Sequence, residues 1–131
     1  MSTSGRLAAY CAAYSGRTFD WATANCCHFA SGWVREATGR DPIAAVQVTR
    51  NQFGAVRQIK RMGGSLTAVW TLLMGAEAIS PRLAHIGDVV LFDVGMGAVG
   101  VCAGRTSVVA LADGAIAHVP TLEAIAAWRV S

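Results

Sequence analysis

Charge is scarce in this chain. Only 15% of its 131 residues are Asp, Glu, Lys or Arg, against about 25% in an average soluble domain. With 53% hydrophobic residues, there is apolar mass for a real core. Two readings follow: part of the surface is covered by a partner, or the fold is simply small and rich in Ala and Gly. Neither sign of charge dominates, since the net charge is +3. The basic residues Arg50, Arg57, Lys60 and Arg61 lack the interleaved aromatics of a nucleic-acid groove, so they read as a solvated helix face and no nucleic-acid partner is expected. No apolar run is long enough to cross a membrane. No signal-peptide core follows Met1-Ser2-Thr3-Ser4-Gly5-Arg6, so synthesis in a cytoplasm is expected. The four cysteines, Cys11, Cys26, Cys27 and Cys102, show neither a disulfide framework nor zinc spacing, and no metal or cofactor is expected. Cys11 and Cys102 sit among apolar neighbours and read as buried thiols. With no repeat, low-complexity tract or linker, residues 1–131 read as a single domain.

The pattern that is present divides the chain in two. Leu7, Tyr10, Cys11 and Tyr14 recur at helical spacing. A second helix carries Cys26, Phe29, Ala30, Trp33, Val34 and Ala37 on one face and ends at Thr38-Gly39-Arg40-Asp41-Pro42. Val56, Ile59 and Met62 suggest a third short helix. Ser65 caps a fourth, with Leu66, Val69, Trp70 and Leu73 on one face and Gly75 as its stop. After Pro81 the character turns β-prone. Val89–Phe92, Val99–Cys102, Ser107–Leu111 and Ile116–Val119 are separated by Gly95-Met96-Gly97, Gly104-Arg105-Thr106 and Asp113-Gly114. Pro120-Thr121-Leu122-Glu123 opens a helical turn, and Trp128-Arg129-Val130 reads as a closing strand. The expected fold is α+β: N-terminal helices packed on a C-terminal antiparallel sheet.

The chemistry-bearing stretch is Asn25-Cys26-Cys27-His28-Phe29-Ala30. With Asn25 as N-cap, Cys26 is the first residue of its helix. A thiol there meets the positive end of the helix dipole and unpaired backbone N–H groups, which favour the nucleophilic thiolate. Cys26 is therefore the candidate nucleophile, and the rest of the chain has to supply a base.

These residues resemble the small papain-like cell-wall cysteine peptidases of the NlpC type. In that family an aromatic-Gly pair leads to Asp-Cys-Ser-Gly-Phe or a similar run; here Phe19-Asp20-Trp21-Ala22 leads to the Cys26 stretch. The family's strand reading Gly-Asp, then Val or Leu, then Val and an aromatic residue corresponds to Gly87-Asp88-Val89-Val90-Leu91-Phe92. Its His-Val-Gly-Ile-Tyr-x-Gly strand, whose histidine is the general base, corresponds to Ala98-Val99-Gly100-Val101-Cys102-Ala103-Gly104. The base position thus holds Ala98. The polar residue that orients the histidine falls in Val108-Val109-Ala110-Leu111, which is apolar. The layout from about residue 17 to 130, including the Thr38–Pro42 turn and the ending Ala127-Trp128-Arg129-Val130, is similar to a small group of phage and prophage proteins encoded beside the tail hub.

The resemblance implies a papain-like fold and a virion location. It also implies partners in a tail hub or tail tip, with peptidoglycan as a second contact. Three functions stand open: a structural tail component on a degenerate peptidase fold, an active thiol peptidase or amidase acting on peptidoglycan during genome delivery, and a cytoplasmic binding module unrelated to phage. Transfer of an acyl group needs a proton acceptor and then a donor, and the three histidines serve unequally. His28 lies two positions after Cys26 and points to another side of the helix. His85 reads as a loop residue. His118 is the remaining base candidate, provided that strand register aims it at the Cys26 helix. Asp88 reads as a turn cap at the strand start, and Trp21, Trp33 and Trp70 as core or interface anchors.

Overall fold

A computed structural model describes residues 2–14, 26–42, 64–93, 98–110 and 116–130. Among them are three α-helices followed by a five-stranded antiparallel sheet. The expected α+β division holds. The Val56–Met62 helix, the Phe19–Trp21 entry segment, Asn25 and the Gly95–Gly97 and Asp113-Gly114 turns lie outside the described residues.

Helix α1 spans Thr3–Tyr14 and buries Leu7 and Tyr14. Ser2 Oγ accepts from the Gly5 N–H at 3.1 Å, satisfying one free donor of the first turn. Helix α2 spans Cys26–Thr38 and buries Phe29, Ala30, Trp33 and Val34. It stops at Gly39, whose φ of +80° suits glycine. The two helices run antiparallel: Arg6 on α1 reaches the Glu36 carbonyl, and four residues further on Tyr10 donates to the Phe29 carbonyl at 2.7 Å. The Tyr10 ring lies 5.4 Å from Phe29 and 5.9 Å from Trp33, as tilted and edge contacts. Helix α3, Leu66–Met74, has the expected ends. Ser65 Oγ accepts from Ala68 N–H, and Gly75 closes it in the left-handed conformation. Arg40, just past α2, donates to the carbonyls of Leu73 and Met74, so the C-terminal ends of α2 and α3 meet.

The strands are β1 (Val89–Phe92), β2 (Ala98–Cys102), β3 (Thr106–Ala110), β4 (Ile116–Pro120) and β5 (Ala126–Trp128). Their order is β4-β3-β2-β1-β5, a meander whose last strand returns to pair with β1. The closing strand is expected over 128–130 and found two residues earlier. Val130 N–H is taken by the Asp88 carboxylate, while Ala127 pairs on its other side with Ile79. Trp128 then falls opposite Val89, under the helices.

Cross-strand partners share a face, so the register divides the sheet cleanly. One face carries Val89, Leu91, Val99, Val101, Val108, Ala110, Ala126 and Trp128, packed with Phe29, Trp33, Val69 and Trp70 of the helices. The other carries Val90, Phe92, Cys102, Val109 and Ala127, packed with Ile79, Ala84, Ala98, Val119 and Ala124. It is covered by two 3-10 turns, Pro81–Leu83 and Thr121–Glu123, which lie against each other. The continuous run Val89-Val90-Leu91-Phe92 is fully buried because both faces are covered.

Candidate functional site

The backbone of α2 does begin at Cys26. Its first N–H groups have no intrahelical partner, and the dipole is positive there. The side chains of Cys26, Cys27 and His28 lie outside the described residues, so the site is defined by what surrounds the helix.

Two anchors hold α2, one to the sheet and one to α3. Trp33, fully buried, donates its indole N–H to the Gly87 carbonyl at 2.8 Å. Gly87 in turn donates to the Cys102 carbonyl, at the end of the sheet where β1 begins and β2 finishes. The second anchor is Arg40 on α3. The later half of α2 is thus fixed at the Gly87–Cys102 end.

The base candidates separate by face. Ala98 stands opposite Phe92 and packs in the core on the side away from α2. His118 stands opposite Val108, whose side chain belongs to the helix-facing core. His118 therefore lies on the helix side of the sheet. It sits on the outermost strand and is exposed, beyond the cover that buries its row-mates Trp128, Val89, Val101 and Val108. Two strand spacings, roughly 10 Å, separate it from β2. The next helix-facing row, Ala126, Leu91 and Val99 with the Ala110–Ile116 pair, is wholly apolar.

Two polar clusters lie elsewhere, and both are structural in geometry. Asp88, 1% exposed, accepts from the backbone N–H of His85 at 2.9 Å and of Val130 at 3.0 Å, and stands 3.5 Å from Arg129 Nε. Arg129 also reaches His85 Nδ1 and the Leu83 carbonyl. The cluster clamps the start of β1, the end of β5 and the loop before β1. Sequence reading recognised the turn cap but not the clamp, because Arg129 and Val130 are remote in sequence. On the covered face away from α2, Thr121 Oγ1 donates to the Gly104 carbonyl at 2.7 Å and Ser107 Oγ lies 2.8 Å from Thr121 Oγ1. Cys102 Sγ donates to the same carbonyl at 3.5 Å. This network pins the Thr121–Glu123 turn to the β2–β3 turn. Cys102 is buried as expected, and Cys11 is half-buried. Burial pushes the Cys11 thiol up from its ordinary value, away from the thiolate. Among the described residues no three His, Cys, Asp or Glu side chains are grouped to hold a metal ion, and no helix is long and apolar enough to cross a membrane.

The family model described as a domain of unknown function (DUF6950) matches residues 2–130, so the chain belongs to the DUF6950 family. No curated protein matches the sequence.

Proposed function

We propose that this member of the DUF6950 family is a structural component of a phage or phage-like tail, associated with the hub or tip, built on a degenerate papain-like cell-wall-peptidase fold. It would be made in the host cytoplasm and act in the virion. The tail assignment rests on the sequence resemblance. The loss of peptidase chemistry rests on one observation: among the described strand residues that share the α2 side of the sheet, His118 alone can take a proton, and it sits at the exposed edge.

The position of α2 sharpens this. Cys26 precedes Trp33 by seven residues, about 10 Å of helix. That equals about three residues of strand. Helix α2 packs on β2, and a helix start lying along that strand from the Trp33 anchor reaches back toward its Ala98 end, although the Ala98 side chain itself is on the other face of the sheet. The apolar row of Leu91 and Val99 lies at that end, and it offers no proton acceptor. His118 shares its row with Val101, at the other end. A thiol without a base keeps its nucleophilicity but loses both proton transfers of acyl exchange.

The placement of His118 on the helix side favours the rival reading, an active thiol peptidase or amidase cleaving peptidoglycan during genome delivery with Cys26 as nucleophile and His118 as base. Incubation of the purified protein with muropeptides separates the two. The expected result is no release of new amine termini above a Cys26→Ala control. Ala98→His should add none, since its side chain projects from the face opposite α2. Turnover that disappears in Cys26→Ala would overturn the proposal, and its loss in His118→Ala would then name the base.

A further inference from the structure

Five large apolar side chains are exposed among the described residues, and three of them belong to one place. Leu83 is 60% exposed on the Pro81–Leu83 turn, Leu122 is 73% exposed on the Thr121–Glu123 turn, and Ile125 follows at 55%. The two turns lie against each other over the sheet face remote from α2, so these side chains form a patch on the side of the molecule away from the Cys26 helix. Their exposure is imposed by the fold. The small residue that follows each turn, Ala84 or Ala124, packs into the core cluster that holds Val90, Phe92 and Ala127, while the large residues beside it stand exposed. The turns are themselves held: Thr121 is tied to Gly104 and Ser107, and the Leu83 carbonyl to Arg129. A rigid aliphatic patch loses little conformational freedom when it is covered.

The charges beside the patch indicate what covers it. Arg82 lies next to Leu83 and Glu123 next to Leu122, one charge of each sign on the two adjoining turns, both exposed. A two-fold axis between the two turns would set Arg82 of each copy against Glu123 of the other and Leu83 of each against Leu122 of the other. That self-complementarity is the requirement of an isologous interface. An opposite-sign rim around an apolar centre is also how protein contacts gain register. We infer that the surface of the Pro81–Leu83 and Thr121–Glu123 turns is a homodimer interface, with Leu83, Leu122 and Ile125 at its centre and reciprocal Arg82–Glu123 pairs at its rim. This inference stands independently of the Cys26 site, which lies on the other side of the sheet.

The test is the mass of the full chain in solution, read by light scattering or sedimentation across a concentration series. The wild type is expected at twice the 13.7 kDa chain mass. Leu122→Asp should return it to the monomer. Arg82→Glu and Glu123→Arg should each weaken the dimer by roughly tenfold or more, by placing like charges together twice. An equimolar mixture of those two variants should dimerise again, because each then offers the other two opposite-sign pairs. Mixing cannot repair a pair made within one chain, so the rescue reports a contact between copies. Unchanged far-UV circular dichroism of the variants, with a cooperative melt, shows that the fold is intact. A wild type that is monomeric throughout, a dimer indifferent to Leu122→Asp, or a mixture that stays monomeric would each overturn the inference.

Discussion

Trp33→Ala is expected to remove about 3–5 kcal/mol of folding stability. That is a large share of the 5–15 kcal/mol typical of a domain. Trp33 is fully buried and joins three parts of the fold. Its ring meets Tyr10 of α1, its backbone belongs to α2, and its indole N–H holds the Gly87 carbonyl before β1. Truncation leaves a cavity and a carbonyl without its donor, and the two costs add. Denaturant melts followed by circular dichroism should show a lower midpoint with little change in slope. Leu72→Ala, at a side chain 63% exposed on α3, should shift stability by no more than about 0.5 kcal/mol. Phenylalanine variants separate volume from hydrogen bonding. Trp70 is equally buried, but its indole N–H has no partner. Trp70→Phe should therefore cost less than Trp33→Phe, since it removes an orphaned donor instead of a paired one.

Gly100→Ala is expected to cost about 3 kcal/mol, the upper end for overpacking, although it adds one methyl group. Gly100 lies inside β2, near the middle of the sheet. A Cβ there would overlap the Val108 carbonyl oxygen and stand 2.8 Å from Val109 Cγ2. The obstacle is the backbone of the neighbouring strand, which cannot turn aside as a side chain can. Relief requires β3 to move away from β2, loosening the Val101–Val108 and Cys102–Ser107 pairs. Gly39→Ala provides the contrast. It is strained by φ of +80°, yet a Cβ there meets nothing within 4 Å, so its cost should stay near 1 kcal/mol. Comparable melts for the two variants would mean that β2 and β3 are not in such close approach.

The elements carried by periodicity and capping were readable in the chain. The buried stripe of Phe29, Ala30, Trp33 and Val34 gives α2, and Ser65 and Gly75 mark the ends of α3 by satisfying backbone groups that any helix leaves open. Strand β5 was misplaced because Ala126 and Ala127 carry little β preference. They are strand through pairing with Leu91 and Val90, a tertiary effect that local sequence does not record. The candidate site was legible in the same proportion. A thiol at a helix start follows from Asn25-Cys26 and the stripe behind it. The side of the sheet on which Ala98 and His118 stand does not, because strand side chains alternate with period two and one residue of register exchanges the faces. Only the pairings Phe92–Ala98 and Val108–His118 decide it. The glycine in the Val99-Gly100-Val101 stretch is part of a motif in the sequence, and its physical reason is the approach of β3.

The claim of a structural role in a tail is tested most directly by the composition of purified particles. Gradient-purified phage or phage-like particles from the organism that encodes this protein should contain its peptides by quantitative mass spectrometry, in a fixed ratio to the tail-hub protein and retained through high-salt washing. Particles that lack the chain, while the same lysate holds it in quantity as free protein, would contradict the account.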